Sequence, residues 1–181
     1  MPNIQLFAAE QAPLLAKPYF GEGDVSPIVA ALAQVPEFLT VGLPFIGSVL
    51  GDSSICERWK ELVVLRASAR SGCRYCVDAH TVVARDAGLT PAETAALRLE
   101  GPLPPTLDER ERAIVAFADD LCERPEEAVA NLRPHFKDYQ IVELVTVGAV
   151  TIMLNKFATS LGLPTSNATT ERLREEGLVH A

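Results

Sequence analysis

Basic clusters, an uninterrupted membrane-length apolar run, strand patterns and abundant cysteine are all missing from this chain of 181 residues. Sixteen lysines and arginines stand against 24 aspartates and glutamates, for a net charge of −8, and no basic cluster is longer than a pair. Phosphate backbones need a basic footprint, so nucleic acid is set aside as a partner. The longest apolar run, Ile141 to Leu154, is interrupted by Glu143, Thr146, Gly148 and Thr151. It falls short of the roughly 18–20 residues a bilayer requires, so no membrane span is expected. The first twenty residues, MPNIQLFAAEQAPLLAKPYF, place no basic stretch before a short apolar one and do not read as a signal peptide. Four cysteines do not make a disulfide scaffold in a chain long enough to build a core without staples. The expected setting is reducing and cytoplasmic, where a close cysteine pair points to redox or metal chemistry.

What is present is helical. Alternating β-branched runs and Asn-Gly turns do not occur. Residues 1–25, with three prolines and two glycines, read as an extended arm ahead of a single all-α domain over 26–181. Helices are expected at Pro27–Gln34 and Pro36–Leu50, the second kinked or split by Gly42 and Pro44. Cys56–Ser71 and Cys73–Ala87 follow, separated by Ser71-Gly72, and Thr90-Pro91-Ala92-Glu93 caps a further helix to about Leu99. The proline-rich stretch Glu100–Thr106 reads as a linker near the middle of the chain. Beyond it, helices are expected at Leu107–Cys122, Glu126–Leu132, Tyr139–Leu161 and Asn167–Glu176.

One stretch carries chemistry: ELVVLRASARSGCRYCVDAH, Glu61 to His80. On a helix Cys73, Cys76 and His80 stand at i, i+3 and i+7, within an arc of roughly 60°. Cys76 and His80 are an i, i+4 pair, the spacing at which helical side chains meet, so a thiol acquires its own base. Cys73 is expected in the first turn, where the helix dipole favours a thiolate. The dipole thus favours Cys73 as the nucleophile and the base favours Cys76; spacing does not choose. If the Ser71-Gly72 break folds the two helices back on each other, Glu61 and His80 lie at similar distances from the turn. A carboxylate can then orient the imidazole as the third member of a relay. Glu61, Leu65 and Ser68 would line the same cleft. Asp78, about 160° round the helix from Cys76, is placed elsewhere.

Glu61, Cys73, Cys76 and His80 together resemble the E-x11-C-x-x-C-x-x-x-H signature of AhpD-like alkylhydroperoxidases, within the carboxymuconolactone decarboxylase superfamily. The similarity runs over roughly residues 35–164. It implies an AhpD-like helical fold that assembles as trimers or hexamers through apolar helices. It implies a thiol-based peroxidase or disulfide oxidoreductase with a small-molecule hydroperoxide as substrate and a lipoyl-type or thioredoxin-like dithiol as reductant. By position, Cys76 matches the peroxidatic cysteine, Cys73 the resolving one, His80 the base and Glu61 the start of the proton relay, with no cofactor beyond the redox-active pair. One position departs from the pattern: Tyr75 stands where a further histidine precedes the second cysteine. A tyrosine can donate a hydrogen bond but, with a reference pKa of ~10, relays protons poorly at neutral pH.

Other readings set the contrast. Cys73, Cys76, His80 and Glu61 could supply four ligands to zinc, but three ligands from two turns of one helix are geometrically awkward, so no metal is expected. Glu61 read blandly would be a surface carboxylate paired with Arg58 or Lys60, and Tyr75 a cleft wall. Cys56 and Cys122 read as ordinary apolar residues, His135 and His180 as solvated. Ser68 and Asn155 earn no role beyond a local bond or a subunit contact. Ile141–Leu154 reads as core or subunit seam, and Phe38–Leu50 as core or as the wall of a pocket. A lactone decarboxylase and a redox-sensing module without turnover are the rival functions.

Overall fold

The structure, a computed structural model, describes residues 2–21 and 25–178. No strand occurs among them. The helices are α1 (Pro27–Leu32), α2 (Pro36–Leu50), α3 (Glu57–Arg70), α4 (Arg74–Asp86), α5 (Pro91–Leu97), α6 (Glu109–Glu123), α7 (Pro125–Ala128), α8 (Asp138–Leu161) and α9 (Asn167–Glu175). His180, expected to be solvated, lies outside the described residues.

The centre of the fold is α3, buried continuously from Lys60 to Ser68. A helix buried on all sides must be packed on all sides, and α4, α6 and α8 surround it. Leu62, Val63, Leu65, Ile114, Phe117, Leu144 and Val147 form the middle of the core. Each such side chain contributes on the order of 1.5–3 kcal/mol by leaving water. Trp59 closes one end edge-on against Phe136, with ring centroids 5.4 Å apart.

Charged groups in α3 are held by named partners. Arg66 forks onto Asp119 of α6 at 2.6 and 2.9 Å and also donates to the Ala96 carbonyl. Burial alone would raise the Asp119 carboxyl, but Arg66 and Arg70 hold it below the ordinary range. Lys60, only 2% exposed, donates to the Val49 and Gly51 carbonyls at the end of α2 and lies 3.8 Å from Glu143. That anchor fixes the last turn of α2, including Leu50. Arg58 pairs with Glu93 and Glu111, while Glu93 also accepts from the Thr90 N–H and Thr106 hydroxyl. One carboxylate thus ties the start of α5, the Pro-rich linker and α3 together.

Several expectations change. The N-terminal arm is not simply extended: it makes single 3-10 turns at Ala9–Gln11 and Lys17–Tyr19 and buries Ala12 and Ala16. Helix α2 runs unsplit through Gly42 and Pro44, because on a largely exposed helix water can take up the carbonyl that proline leaves unbonded. Its residues are core only in part: Leu39 is fully buried and Leu43, Val49 and Leu50 pack partly buried against the core, while Phe38, Val41 and Phe45 face outward. Helix α8 exceeds the apolar run that marked it. At 24 residues it is long and apolar enough to cross a membrane by length and composition. In this fold Ile141, Leu144, Val147 and Val150 are instead packed inside, against α3 and its neighbours.

Candidate active site

The α3–α4 hairpin makes the site. Gly72 adopts a left-handed φ of +65°, a conformation that costs residues with a Cβ and suits glycine. The Cys73 N–H then closes onto the Ser68 carbonyl at 3.1 Å, and α4 returns alongside α3. Cys73 is the N-cap of α4 rather than a residue of its first turn, and its Sγ accepts from the Cys76 N–H at 3.3 Å. Cys76 is the third residue of the helix, inside the turn where unpaired N–H groups and the dipole act. The dipole argument therefore reaches Cys76 as well as Cys73.

The two sulfurs stand at disulfide-bonding distance, with Cα atoms 5.3 Å apart. Both cysteines are nearly closed off, at 1% and 5% exposure. Ile4 and Leu6 of the arm, Ile28 and Ala31 of α1, and Ala158 and Leu163 at the end of α8 cover them. The arm is fastened there by Asn3, which donates its backbone N–H to Leu161 and its amide to Ser160.

Glu61 meets His80 directly: Nδ1 lies 3.1 and 3.0 Å from the two carboxylate oxygens. The bland reading of Glu61 as a surface partner of Arg58 or Lys60 does not hold. Glu61 is 5% exposed, and those two cations face Glu93, Glu111 and Glu143. With Nδ1 committed to a carboxylate, the tautomer is set and Nε2 is the nitrogen left for chemistry.

Cys76 and His80 line a cavity of about 60 Å³ together with Ile28, Val64, Tyr75 and Asn155, enough for a few water molecules. Leu50, Ser68, Ala79, Thr151 and Leu154 complete it. Tyr75 and Ser68 are thus at the cleft wall, but Leu65 is not: it is buried in the main core, and Val64, one step round the helix, takes the position. The Tyr75 hydroxyl lies 3.5 Å from Ser26. Burial pushes its pKa up, against hydrogen bonding from Ser26 that lowers it. Asp78 turns away from the cavity to accept from Thr165. Cys56, expected to behave as an apolar residue, is exposed; Cys122 is half-buried, and burial raises its thiol pKa. His135 is half-buried rather than solvated. Among the described residues no three His, Cys, Asp or Glu side chains gather as a metal site.

Asn155 is the residue that sequence reasoning undervalued. Fully buried on α8, it accepts from the Ser68 hydroxyl at 3.0 Å across 87 residues of chain. The one signal available was an asparagine inside an otherwise apolar helix.

An all-α fold holding a C-x-x-C pair at a helix start, with a histidine one turn on in the same helix held by a glutamate from the preceding hairpin arm, defines a dithiol site. The model of the carboxymuconolactone decarboxylase family matches residues 36–120, a span that includes Glu61, Cys73, Cys76 and His80. Among solved structures, a protein of unknown function from Agrobacterium tumefaciens, named for AhpD antioxidant defence, is 25% identical. The alignment covers 75% of this chain and 94% of that one, with a TM-score of 0.67. An uncharacterised peroxidase-related protein with an AhpD core from Ralstonia eutropha JMP134 shares the fold at TM-score 0.78 and 21% identity, covering 93% and 94%. The debrominase Bmp8 does so at TM-score 0.70 and 19% identity, covering 94% and 95%. No curated protein sequence matches significantly. Residues 36–120 are thus similar to the carboxymuconolactone decarboxylase family, and the fold is similar to that of AhpD-like proteins.

Proposed function

We propose that the chain is a thiol-dependent peroxidase that reduces small hydroperoxides through Cys76 and Cys73. The observation that carries the reading is the sulfur pair at bonding distance beside a histidine whose Nδ1 is held by a buried carboxylate. In the cycle, His80 takes the Cys76 thiol proton at Nε2 and Glu61 holds the resulting imidazolium. The thiolate attacks the nearer peroxide oxygen. An S–O bond forms, the O–O bond breaks, and the leaving oxygen takes the proton back from His80 as water or alcohol. Cys73 thiol then condenses with the Cys76 sulfenic acid, releasing water and forming the disulfide. An external dithiol of lipoyl or thioredoxin-like type restores both thiols by exchange.

A cavity of a few waters' volume suits hydrogen peroxide or the head of an organic hydroperoxide. We further propose a reducing, cytoplasmic setting and self-association, since α2 and α8 expose Phe38, Val41, Phe45, Val142 and Met153. Equilibrium sedimentation against Val41→Glu checks the association. The test of function is peroxide consumption with dithiothreitol as donor: it is lost in Cys76→Ser and in Cys73→Ser. Undiminished turnover in Cys76→Ser refutes the assignment. The family match also keeps a lactone decarboxylase in view; decarboxylation surviving alkylation of both thiols would favour it.

A further inference from the structure

The cavity beside Cys76 contains a hydrogen-bond donor that the cycle above does not use. Asn155 lines it and is 1% exposed, and its Oδ1 is occupied by the Ser68 hydroxyl. Its Nδ2 has no partner. A buried, unpaired N–H is costly to keep, and natural proteins retain few of them without a purpose. The other polar side chains around the cavity are engaged: Thr151 donates to the Val147 carbonyl, Tyr75 pairs with Ser26, and His80 Nδ1 faces Glu61. Among the described residues lining the cavity, Asn155 Nδ2 is therefore the buried side-chain atom without a partner.

We infer that Asn155 donates from Nδ2 to the leaving oxygen of the hydroperoxide, and that Ser68 is the positioning residue that fixes the amide this way round. The inference rests on the peroxidase reading and names the group that would recognise the substrate. As Cys76 forms its bond to the nearer oxygen and the O–O bond breaks, the electron pair moves to the farther oxygen. A fixed donor in a nearly closed site stabilises charge where it develops, and water need not reorganise to do so. The Ser68 hydroxyl donates to Oδ1 at 3.0 Å, the orientation that leaves Nδ2 for the peroxide oxygen.

The experiment uses the full-length reduced protein, with hydrogen peroxide as oxidant in a single turnover and iodoacetamide as a second probe of the same thiol. Alkylation reports thiolate population and access but has no leaving peroxide oxygen. Asn155→Leu is expected to slow peroxide oxidation of Cys76 by about 10- to 100-fold and to leave alkylation within about threefold. Asn155→Ala also removes the donor and adds no charge beside the Cys76 thiolate; it carries the test if the leucine variant does not fold. Ser68→Ala is expected to shift the peroxide-to-alkylation ratio in the same direction by less. Unchanged peroxide oxidation in both Asn155 variants overturns the inference, as does a parallel fall in both reactions, which marks a merely structural role. A wild-type protein no more reactive to peroxide than Cys76→Ser overturns the peroxidase reading, and this inference with it.

Discussion

Replacing Glu61 by glutamine keeps the size of the side chain and removes its charge from beside His80. The carboxylate lies 3.0 Å from Nδ1 and is nearly sealed from water. At the effective screening of a partly buried site, a unit charge pair at such a distance is worth on the order of 4 kcal/mol. The neutral hydrogen bond that glutamine can still accept from Nδ1–H returns about 1 kcal/mol. Roughly 3 kcal/mol of support for the imidazolium formed during thiol activation is therefore lost, about 10²-fold in rate. Stopped-flow oxidation of the reduced protein by hydrogen peroxide measures this, with urea unfolding run alongside to establish that the variant is folded. A folded Glu61→Gln protein that reacts within threefold of wild type, while His80→Ala is crippled, would show that Glu61 is not coupled to the chemistry. The relay would then end at the imidazole.

Acid stability offers a second check. Burial alone would raise the Glu93 carboxyl, but Arg58, the Thr90 N–H and the Thr106 hydroxyl hold it down at about 2. A depressed folded pKa contributes stability above the unfolded value, here about 4.5, that disappears as pH falls towards 2. The size is about 3 kcal/mol. Urea denaturation at stepped pH should show Glu93→Gln losing less stability than wild type across that window; parallel curves would contradict it. A third check concerns Gly148 in α8, where an added Cβ would collide with the Leu121 Cδ2 methyl while meeting Val63 and Phe117 at ordinary distance. Leu121 is only half-buried and can turn, and alanine recovers up to about 1 kcal/mol of helix propensity. Gly148→Ala should therefore lie within about 1 kcal/mol of wild type and Gly148→Leu cost more than about 2. A loss above 2 kcal/mol in the alanine variant would mean that Leu121 is locked.

The helices were legible because their signals are local. Thr90 with Glu93 forms the capping box that the residue pattern announces, and Asp108 with Glu111 forms another. Gly72, Gly88 and Gly162 stand at left-handed turns after α3, α4 and α8. The arc holding Cys73, Cys76 and His80 follows from helical geometry alone, so the core of the candidate site was visible before any fold was. Its edges were not. Choosing Val64 over Leu65 for the cleft wall requires the rotation of α3 against α4, which a one-residue step changes by ~100°.

Local spacing along the chain determined which side chains share a helix face, and therefore that two thiols and an imidazole lie together. Only the tertiary structure decided which residues come to that face from elsewhere. Glu61 turns to His80 because its neighbours Arg58 and Lys60 are claimed by Glu93, Glu111 and Glu143. Ile4 and Leu6 close over the sulfurs because the arm is tied to the end of α8. Asn155 meets Ser68 because α8 crosses α3 at that height. Periodicity records the angle of a residue about its own helix axis. The crossing of two helices depends on the summed volumes of all the side chains between them, and no short stretch of sequence contains that sum.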